Sequence, residues 1–221
     1  TIDLYEYETL EKTATLLSTE DLEGISYMSS YTFSADESKV LLATDLIPIY
    51  RRSTLGSYFV YDFNDKSLIK IANVAVQEPS LSPDGSKVAY GYENNIYLFD
   101  LKTKQTEQLT FDGEKNRIIN GITDWVYEEE FGFVRAFEWS PEGTHIAFLR
   151  FDETEVPEYS MPIYGEDLYP TLQTFKYPKA GENNAVVSLH LIELEGAKTS
   201  TIPVDAYYIP RIKWKNNPDE L

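Results

Sequence analysis

The sequence predicts an all-β fold that is a partial β-propeller, with about three to four four-stranded blades of a larger propeller. Turn residues recur between short runs rich in β-branched and aromatic side chains, and the same turn-and-strand pattern returns three times. Repeats of roughly 40 to 60 residues with this pattern are typical of propeller blades. Because a propeller closes with about four to eight blades, three or four of them predict a fragment.

The three repeats each begin with a tight turn that leads into a strand. They cover residues 33–42, 81–90 and 139–148. In the second repeat, Pro83 presets the backbone of the turn, Asp84 accepts local amide hydrogen bonds, and Gly85 takes the left-handed conformation. The apolar run after each turn favours a strand.

Further strand and turn patterns follow these repeats. They cover residues 58–71, 95–110 and 188–194, and another strand start is expected at 212–215. The intervals between the repeats are unequal, and the excess lies in two segments without strand alternation. The first segment contains an acidic turn, and the second covers residues 152–184.

The acidic turn has the sequence Asp124-Trp125-Val126-Tyr127-Glu128-Glu129-Glu130. Neighbouring residues on a strand point to opposite faces, so Glu129 and Glu130 reach one ligand together only from a helical turn or a loop. We therefore expect one or two helical turns over 124–130, with Asp124 as the N-cap. A second interpretation stays open, because acids in a first turn also suit the positive end of a short helix without binding anything.

Residues 152–184 are rich in Pro and Tyr and have poor periodicity, which predicts an extended arm or a long hairpin that projects from a blade. An exposed arm of this composition is a candidate association surface. The alternative is an ordered loop that packs on its own propeller.

Charge and composition limit the possible partners. The 221 residues include 19 basic and 37 acidic ones, and the net charge of −18 argues against nucleic acid and anionic membranes and favours cationic ligands. The absence of cysteine excludes disulfides and thiolate metal sites, and no calcium-loop spacing occurs. We predict no metal and no cofactor. The chain starts at Thr1 and ends abruptly, which suggests a piece of a longer protein.

Residues 121–130 closely resemble the double-glutamate motif of the dipeptidyl peptidase IV family of prolyl-oligopeptidase-like serine peptidases. Residues 152–157 and 177–181 resemble the next landmarks of that family, and residues 50–62 resemble its arginine segment. The resemblance runs from about residue 30 to the end. It implies that residues 1–221 are part of the N-terminal β-propeller domain, with the double-Glu insertion at 121–131 and the extended arm at 152–184.

The resemblance also implies the roles of individual residues. Glu129 and Glu130 would bind the α-ammonium group of a peptide substrate with a free N-terminus. Arg51 would hold a carbonyl oxygen of the same peptide, although the family usually has a single arginine where this chain has two. The supporting residues would be Glu128, Asp124 and Trp125. Because the clamped amino terminus fixes the reach of the peptide, X-Pro or X-Ala dipeptides would be removed.

Catalytic residues are not expected in this chain. No Gly-x-Ser-x-Gly motif occurs, and His145 and His190 lie within predicted strands. The family carries its Ser, Asp and His in a separate α/β-hydrolase domain after the propeller, so that domain is an implied partner. The resemblance further implies a homodimer through the 152–176 part of the arm, and an extracytoplasmic location, either periplasmic, secreted or membrane-associated.

Two other functions remain compatible with the sequence. A non-catalytic protein-binding propeller of the TolB-like or WD-like kind would explain the repeated turns, but it gives no reason for the acidic turn or the arm. An inactive relative of the family would keep the propeller and lack the nucleophile. A Gly-x-Ser-x-Gly motif in the full-length sequence would favour the enzyme over this relative.

Overall fold

The computed structural model describes residues 1–215 and 220–221, and β-strands dominate this part of the chain. The strands are β1 Ile2–Tyr5, β2 Lys12–Leu17, β3 Ser30–Phe33, β4 Lys39–Pro48, β5 Thr54–Asp62, β6 Leu68–Lys70, β7 Gln77–Leu81, β8 Lys87–Tyr92, β9 Asn95–Asp100, β10 Gln105–Gln108, β11 Ile118–Asn120, β12 Phe137–Trp139, β13 His145–Asp152, β14 Glu158–Ile163, β15 Thr171–Lys176, β16 Val186–Glu193 and β17 Lys198–Ile202. Two short helical segments, Thr19–Asp21 and Tyr127–Phe131, interrupt them.

Three antiparallel sheets follow one another along the chain as propeller blades. Blade 1 has the order β3-β4-β5-β6, blade 2 has the order β10-β9-β8-β7, and blade 3 has the order β11-β13-β16-β17, with β12 also paired to β13. Short turns join most neighbouring strands of a blade, as the repeated sequence pattern predicts, whereas residues 153–185 join β13 to β16. The prediction of an all-β partial propeller is therefore confirmed.

The blades pack face to face through apolar side chains. Val60 and Leu41 of blade 1 meet Val88 of blade 2 in one buried cluster. Ile96 of blade 2 meets Phe148 of blade 3 in the next cluster. Since each blade can bury its inner and outer faces only against a neighbour, this stacking is the main source of burial in the fold.

The repeated turns have the same hydrogen bonds in the first two copies. Ser34 Oγ donates to Asp36 Oδ1 over 2.7 Å, and Ser82 Oγ donates to Asp84 Oδ1 over 2.6 Å. Gly85 has a φ of 65°, in the left-handed region predicted for it. The first copy places a side chain at that position, because Glu37 has a φ of 58°.

Residues 158–176, inside the predicted arm, form a separate two-stranded hairpin. Its strands β14 and β15 pair antiparallel from Glu158 with Lys176 to Ile163 with Thr171. Every residue of β14 is exposed. At the base of the hairpin, Tyr159 and Phe175 lie 6.4 Å apart between ring centroids, so aromatic contacts hold the two strands together where they leave the blades.

The strand start predicted at 212–215 is wrong, because the structure has no strand there. These residues pack on blade 3 as irregular chain instead. The Trp214 Nε1–H donates to the Glu138 carbonyl over 3.2 Å, and Ile212 joins an apolar cluster of that blade. Within the described residues, no other segment pairs with them as a strand would require. No helix in this described part has the length and apolar character that crossing a bilayer requires.

Candidate substrate-binding site

The acidic turn is helical, as predicted. Residues 125 and 126 continue into a π-helix over Tyr127–Phe131, which ends at Gly132 with a φ of 73°. Asp124 begins the segment, and its Oδ1 accepts the Tyr127 N–H over 2.9 Å. This is the bond that an N-cap side chain makes to an otherwise unpaired amide. The cap therefore fixes where the turn starts.

Aromatic side chains anchor the turn to blade 3. Tyr127 is 1% exposed, its hydroxyl accepts the Ile209 N–H over 3.0 Å, and its ring meets Phe151 of β13 edge to face at 4.9 Å. Trp125 points to the other side, where its ring lies 4.5 Å from that of Tyr177 after the hairpin. The aromatic positions of the motif thus hold the backbone that presents the three glutamates.

Glu128 joins the turn to a distant part of the chain. It is 1% exposed, and its Oε1 accepts the N–H groups of Arg52 and Ser53 over 2.6 and 2.9 Å. Both donors lie in the loop over residues 49–53, between β4 and β5 of blade 1. A buried carboxylate with two backbone donors is well satisfied, so Glu128 positions the loop against the turn and does not face solvent.

Arg51 and Glu129 form an ion pair across these two segments. Arg51 Nε lies 2.8 Å from Glu129 Oε2 and 3.2 Å from Oε1, although 78 positions separate the residues in sequence. The Arg51 side chain is 73% exposed and that of Glu129 is 16% exposed. Glu130 follows on the exposed side of the turn, and its carboxylate has no hydrogen bond or ion pair within residues 1–215 and 220–221.

The structure separates the two neighbouring arginines. Arg51 reaches Glu129 with its guanidinium, whereas Arg52 binds Glu128 through its backbone N–H. The Arg52 guanidinium lies beside Gly132, where Nη2 would be 3.8 Å from a Cβ at that position. Only Arg51 therefore pairs with the acids of the turn through its side chain.

A cavity of about 780 Å³ lies on the inner side of the turn. It is lined by residues from the 49–53 loop, from blade 2 and its β8–β9 turn, from residues 113–116, from the chain before the acidic turn, from Glu153 after β13 and from β15. Two acids of this lining are almost fully buried, Asp124 at 5% and Glu153 at 6% exposure. Arg51, Glu129 and Glu130 do not line it.

Burial shifts the titration of the acids in this cavity. It raises the pKa of Asp124 from 3.8 to about 6, against the opposing effect of the Tyr127 amide. Burial, together with the nearby Asp124 charge and against the opposing effect of Lys176, raises the pKa of Glu153 from 4.5 to about 7. Desolvation disfavours the charged form of an acid, so both carboxyls exchange protons near neutral pH.

Sequence analysis assigned Glu153 to the arm and missed its place in the cavity. Glu153 directly follows β13, and its N–H donates to the Arg117 carbonyl over 2.7 Å, which holds it against the residues before β11. The available signal was its position directly after the apolar run of β13, where the chain leaves a buried strand. Among the described residues, no cluster of three or more His, Asp or Glu side chains is arranged to hold a metal.

Comparison with known proteins identifies the family of this chain. The family model described as "Dipeptidyl peptidase IV (DPP IV) N-terminal region" matches residues 34–221, which is most of the sequence. The chain belongs to the dipeptidyl peptidase IV family. The part of the family that it matches is the N-terminal region.

Relatives and solved structures agree with this assignment. The chain is 37% identical over 195 residues to prolyl endopeptidase FAP of Homo sapiens, covering 87% of this chain and 25% of the relative. It is 38% identical over 172 residues to dipeptidyl aminopeptidase B of Saccharomyces cerevisiae, covering 76% and 21%. The crystal structure of Porphyromonas gingivalis dipeptidyl peptidase 4 matches with a TM-score of 0.89 and 40% identity, covering 97% of this chain and 32% of that one. The chain thus spans between about a fifth and a third of the length of these proteins.

Proposed function

We propose that this chain is the substrate-recognition part of a serine exopeptidase that removes X-Pro or X-Ala dipeptides from peptide N-termini. Glu129 and Glu130 bind the α-ammonium group of the substrate. Arg51 binds a carbonyl oxygen of the same peptide. Glu128, Asp124 and Trp125 hold the turn in place.

The contact between Arg51 and Glu129 carries this proposal. Two segments from different blades meet there, with Nε and Oε2 only 2.8 Å apart. Beneath this contact, the bonds from Arg52 and Ser53 to Glu128 fix the relative position of the two segments. A solvated acidic turn without a ligand has no need of such a support, so the arrangement favours a preorganised binding site.

The exposed groups suit the start of a peptide. An α-amino group has a pKa near 8 and is mostly protonated at neutral pH, and carboxylates offer it charge-assisted hydrogen bonds. Glu130 is unpaired within the described residues and can accept directly. Arg51 uses Nε for Glu129, which leaves its terminal nitrogens to donate to a carbonyl oxygen. The acids and the arginine would thus grip adjacent parts of one short peptide.

The test uses the full-length protein and an X-Pro chromogenic substrate. Glu129→Gln and Glu130→Gln each remove one charge-assisted bond, which is worth about 1.5 to 3 kcal/mol. We expect kcat/KM to fall roughly 10- to 100-fold in each variant. Arg51→Met should lower it by a similar factor, and an N-acetylated substrate should not be cleaved by the wild type.

Arg52→Met is the matched control, because the contact of Arg52 with Glu128 uses the backbone N–H and survives loss of the side chain. We expect its kcat/KM to stay close to that of the wild type. Near-normal turnover in both glutamate variants would show that the α-ammonium binds elsewhere. Equal losses in the Arg51 and Arg52 variants would contradict the assignment of Arg51.

The catalytic machinery of the whole protein lies outside this chain in our proposal. An α/β-hydrolase domain following the propeller would carry the Ser, Asp and His residues. The names of the relatives, which include dipeptidyl peptidases and a dipeptidyl aminopeptidase, support a peptidase of this class. By the same relationship, we propose that the protein acts outside the cytoplasm, in the periplasm, in secreted form or attached to a membrane.

The hairpin within residues 152–176 is our candidate dimer contact. It exposes apolar side chains near its tip, with Leu168 95% and Leu172 71% exposed. Exposed apolar patches of this kind mark association surfaces. In the full-length protein, Leu168→Asp with Leu172→Asp should shift the species from dimer to monomer in size-exclusion chromatography with light scattering. Tyr7→Asp, at a residue 92% exposed in the β1–β2 hairpin, is the control, and an unchanged dimer in the leucine variant would contradict this contact.

A further inference from the structure

The buried acid Glu153 has no hydrogen-bond partner for its carboxylate within the described residues. Its backbone is fully engaged, since its N–H donates to Arg117 and its carbonyl accepts the Val156 N–H over 3.0 Å. The side chain lines the cavity, and its oxygens are not sealed off from it. A carboxylate that is 6% exposed and unpaired costs free energy to keep charged, so a cation bound beside it would stabilise its charged form.

The neighbouring groups do not supply that partner. Asp124 is a second acid in the same lining, and one of its oxygens already accepts the Tyr127 amide. Lys176 acts electrostatically on Glu153, but its Nζ donates to the carbonyls of Val156 and Thr154 over 2.7 and 3.5 Å. Within the described residues it forms no ion pair with either acid.

The exposed Lys115 also lines the cavity, and no ion pair joins it to either acid within the described residues. Glu93 and Glu114 line the cavity as well but are exposed, so the cavity presents two buried carboxyls whose remaining oxygens are open.

Aromatic rings line the same cavity beside the two acids. Trp125 lies directly after Asp124, and Tyr50 lies 5.7 Å from Phe175 between ring centroids. Aromatic faces attract organic cations, most strongly where water is excluded. Acids together with aromatic walls thus favour a positively charged group attached to an apolar stem.

We propose that Glu153 and Asp124 form a second cation site, which binds a primary ammonium group on an aliphatic chain, such as a lysine side chain. An ammonium directs three donors to separate acceptors, as two carboxyls on different elements require, whereas the planar guanidinium prefers both oxygens of one carboxylate. A divalent metal ion fits less well, because no third acid joins the pair within the described residues.

This site is separate from the one that holds the peptide terminus. Glu129 and Glu130 lie outside the cavity lining, whereas Asp124 and Glu153 are inside it. If the ammonium belongs to a peptide substrate, the second site binds a lysine side chain on the C-terminal side of the cleaved dipeptide. That part of the inference rests on the proposed function. Binding of a free alkylammonium ion does not depend on it.

The first experiment measures binding of n-butylammonium to the full-length protein by ligand-observed NMR, with neutral 1-pentanol as the matched probe. A Glu129→Gln/Glu130→Gln background removes the site proposed for the terminal amine. In this background, we expect n-butylammonium to bind at least tenfold more tightly than 1-pentanol. Equal affinity of the two probes would overturn the second site, and this comparison requires no change in the cavity.

The second experiment adds Glu153→Gln to the same background, with Glu155→Gln as the control. Both changes remove one negative charge from the same loop, but Glu155 is exposed. Loss of the tenfold preference for n-butylammonium is expected only with Glu153→Gln. If the preference survives Glu153→Gln, or disappears equally with Glu155→Gln, the probe responds to overall charge and the site is refuted.

A third experiment places lysine or norleucine at successive positions after an X-Pro dipeptide. At one position we expect the protein with intact Glu129 and Glu130 to cleave the lysine peptide with a kcat/KM roughly tenfold higher, and Glu153→Gln should abolish this difference. The fall in kcat/KM of the Glu129→Gln and Glu130→Gln variants tests the proposed function instead. Equal rates for lysine and norleucine at every position would remove the downstream role, whatever those variants show.

Discussion

The two sides of the acidic turn place acids in opposite environments. On the outer side, Glu129 pairs with Arg51 and Glu130 is exposed to solvent. On the inner side, Asp124 and Glu153 are buried beside a cavity, with aromatic rings and a lysine that is committed to carbonyl oxygens. One short helical segment thus separates a solvent-accessible acid pair from a desolvated one. The outer pair is suited to a cation that stays partly hydrated when bound, and the inner pair to one that is desolvated on binding.

Glu128 lies between these two sides and shows why they remain apart. It is as buried as the inner acids, but two backbone N–H groups satisfy its carboxylate. Glu130, two residues later, is exposed. Three consecutive residues of one type therefore differ in role in our interpretation: Glu128 supports the turn, while Glu129, paired with Arg51, and the exposed Glu130 bind the ligand. Position relative to the blades, and not residue type, decides among them.

Among the variants that test this comparison, Glu128→Ala should have the largest effect, and it should act on the attachment of the 49–53 loop to the turn. It removes two charge-assisted bonds and leaves the buried Ser53 amide without an acceptor, which we estimate at about 4 kcal/mol. The 49–53 loop should then open more easily. Hydrogen exchange of the Ser53 amide in the full-length protein, measured by mass spectrometry or NMR, should become roughly a thousandfold faster.

Glu130→Ala is the control for that measurement, because the exposed carboxylate supports no backbone amide within the described residues. Exchange at Ser53 should change less than threefold in this variant. If Glu128→Ala leaves the exchange rate unchanged, the loop is held by other contacts, and the supporting role of Glu128 is wrong.

The outer side of the turn was more accessible to prediction than the inner side. The helical turn and the cap at Asp124 follow from local rules, since the adjacent acids and the capping residue all lie within seven positions. The turn glycine Gly85 was predicted for the same reason. Glu37, which occupies the equivalent left-handed position with a φ of 58°, is not a residue that turn rules select.

The inner side depends on contacts between distant segments, which local patterns do not reveal. Glu153 lies in a run with poor periodicity, so the sequence placed it in the arm. Its burial comes from the bond to the Arg117 carbonyl and from the approach of the 49–53 loop and β15. In the same way, the partners of Glu128 lie 76 and 75 positions away. Residue type indicated an acid site, but only the packing of blades distinguishes its buried members from its exposed ones.

The buried pair also predicts a pH dependence of stability. The pKa of Glu153 is about 7 in the folded protein against 4.5 for the ordinary group, and that of Asp124 is about 6 against 3.8. A raised folded-state pKa means that the folded protein binds the proton more tightly than the unfolded chain. The stabilising contribution is therefore complete below about pH 4 and is lost as the pH rises through 6 and 7. For each acid the loss is at most about 3 kcal/mol.

Comparison of Glu153→Gln with the wild type separates the pH-dependent contribution of Glu153 to the free energy of unfolding from that of all other titrating groups. In denaturant unfolding of the full-length protein without ligand, the two should have similar stability near pH 4. The variant should then become more stable than the wild type as the pH approaches 8, by up to about 3 kcal/mol. The free energy of unfolding of Glu155→Gln should differ from that of the wild type by the same amount at every pH. A variant that is less stable than the wild type at pH 8 would mean that the ionised Glu153 is already paired in the unliganded protein. The inner and outer acids would then differ only in their exposure to solvent, because both would already have a cationic partner.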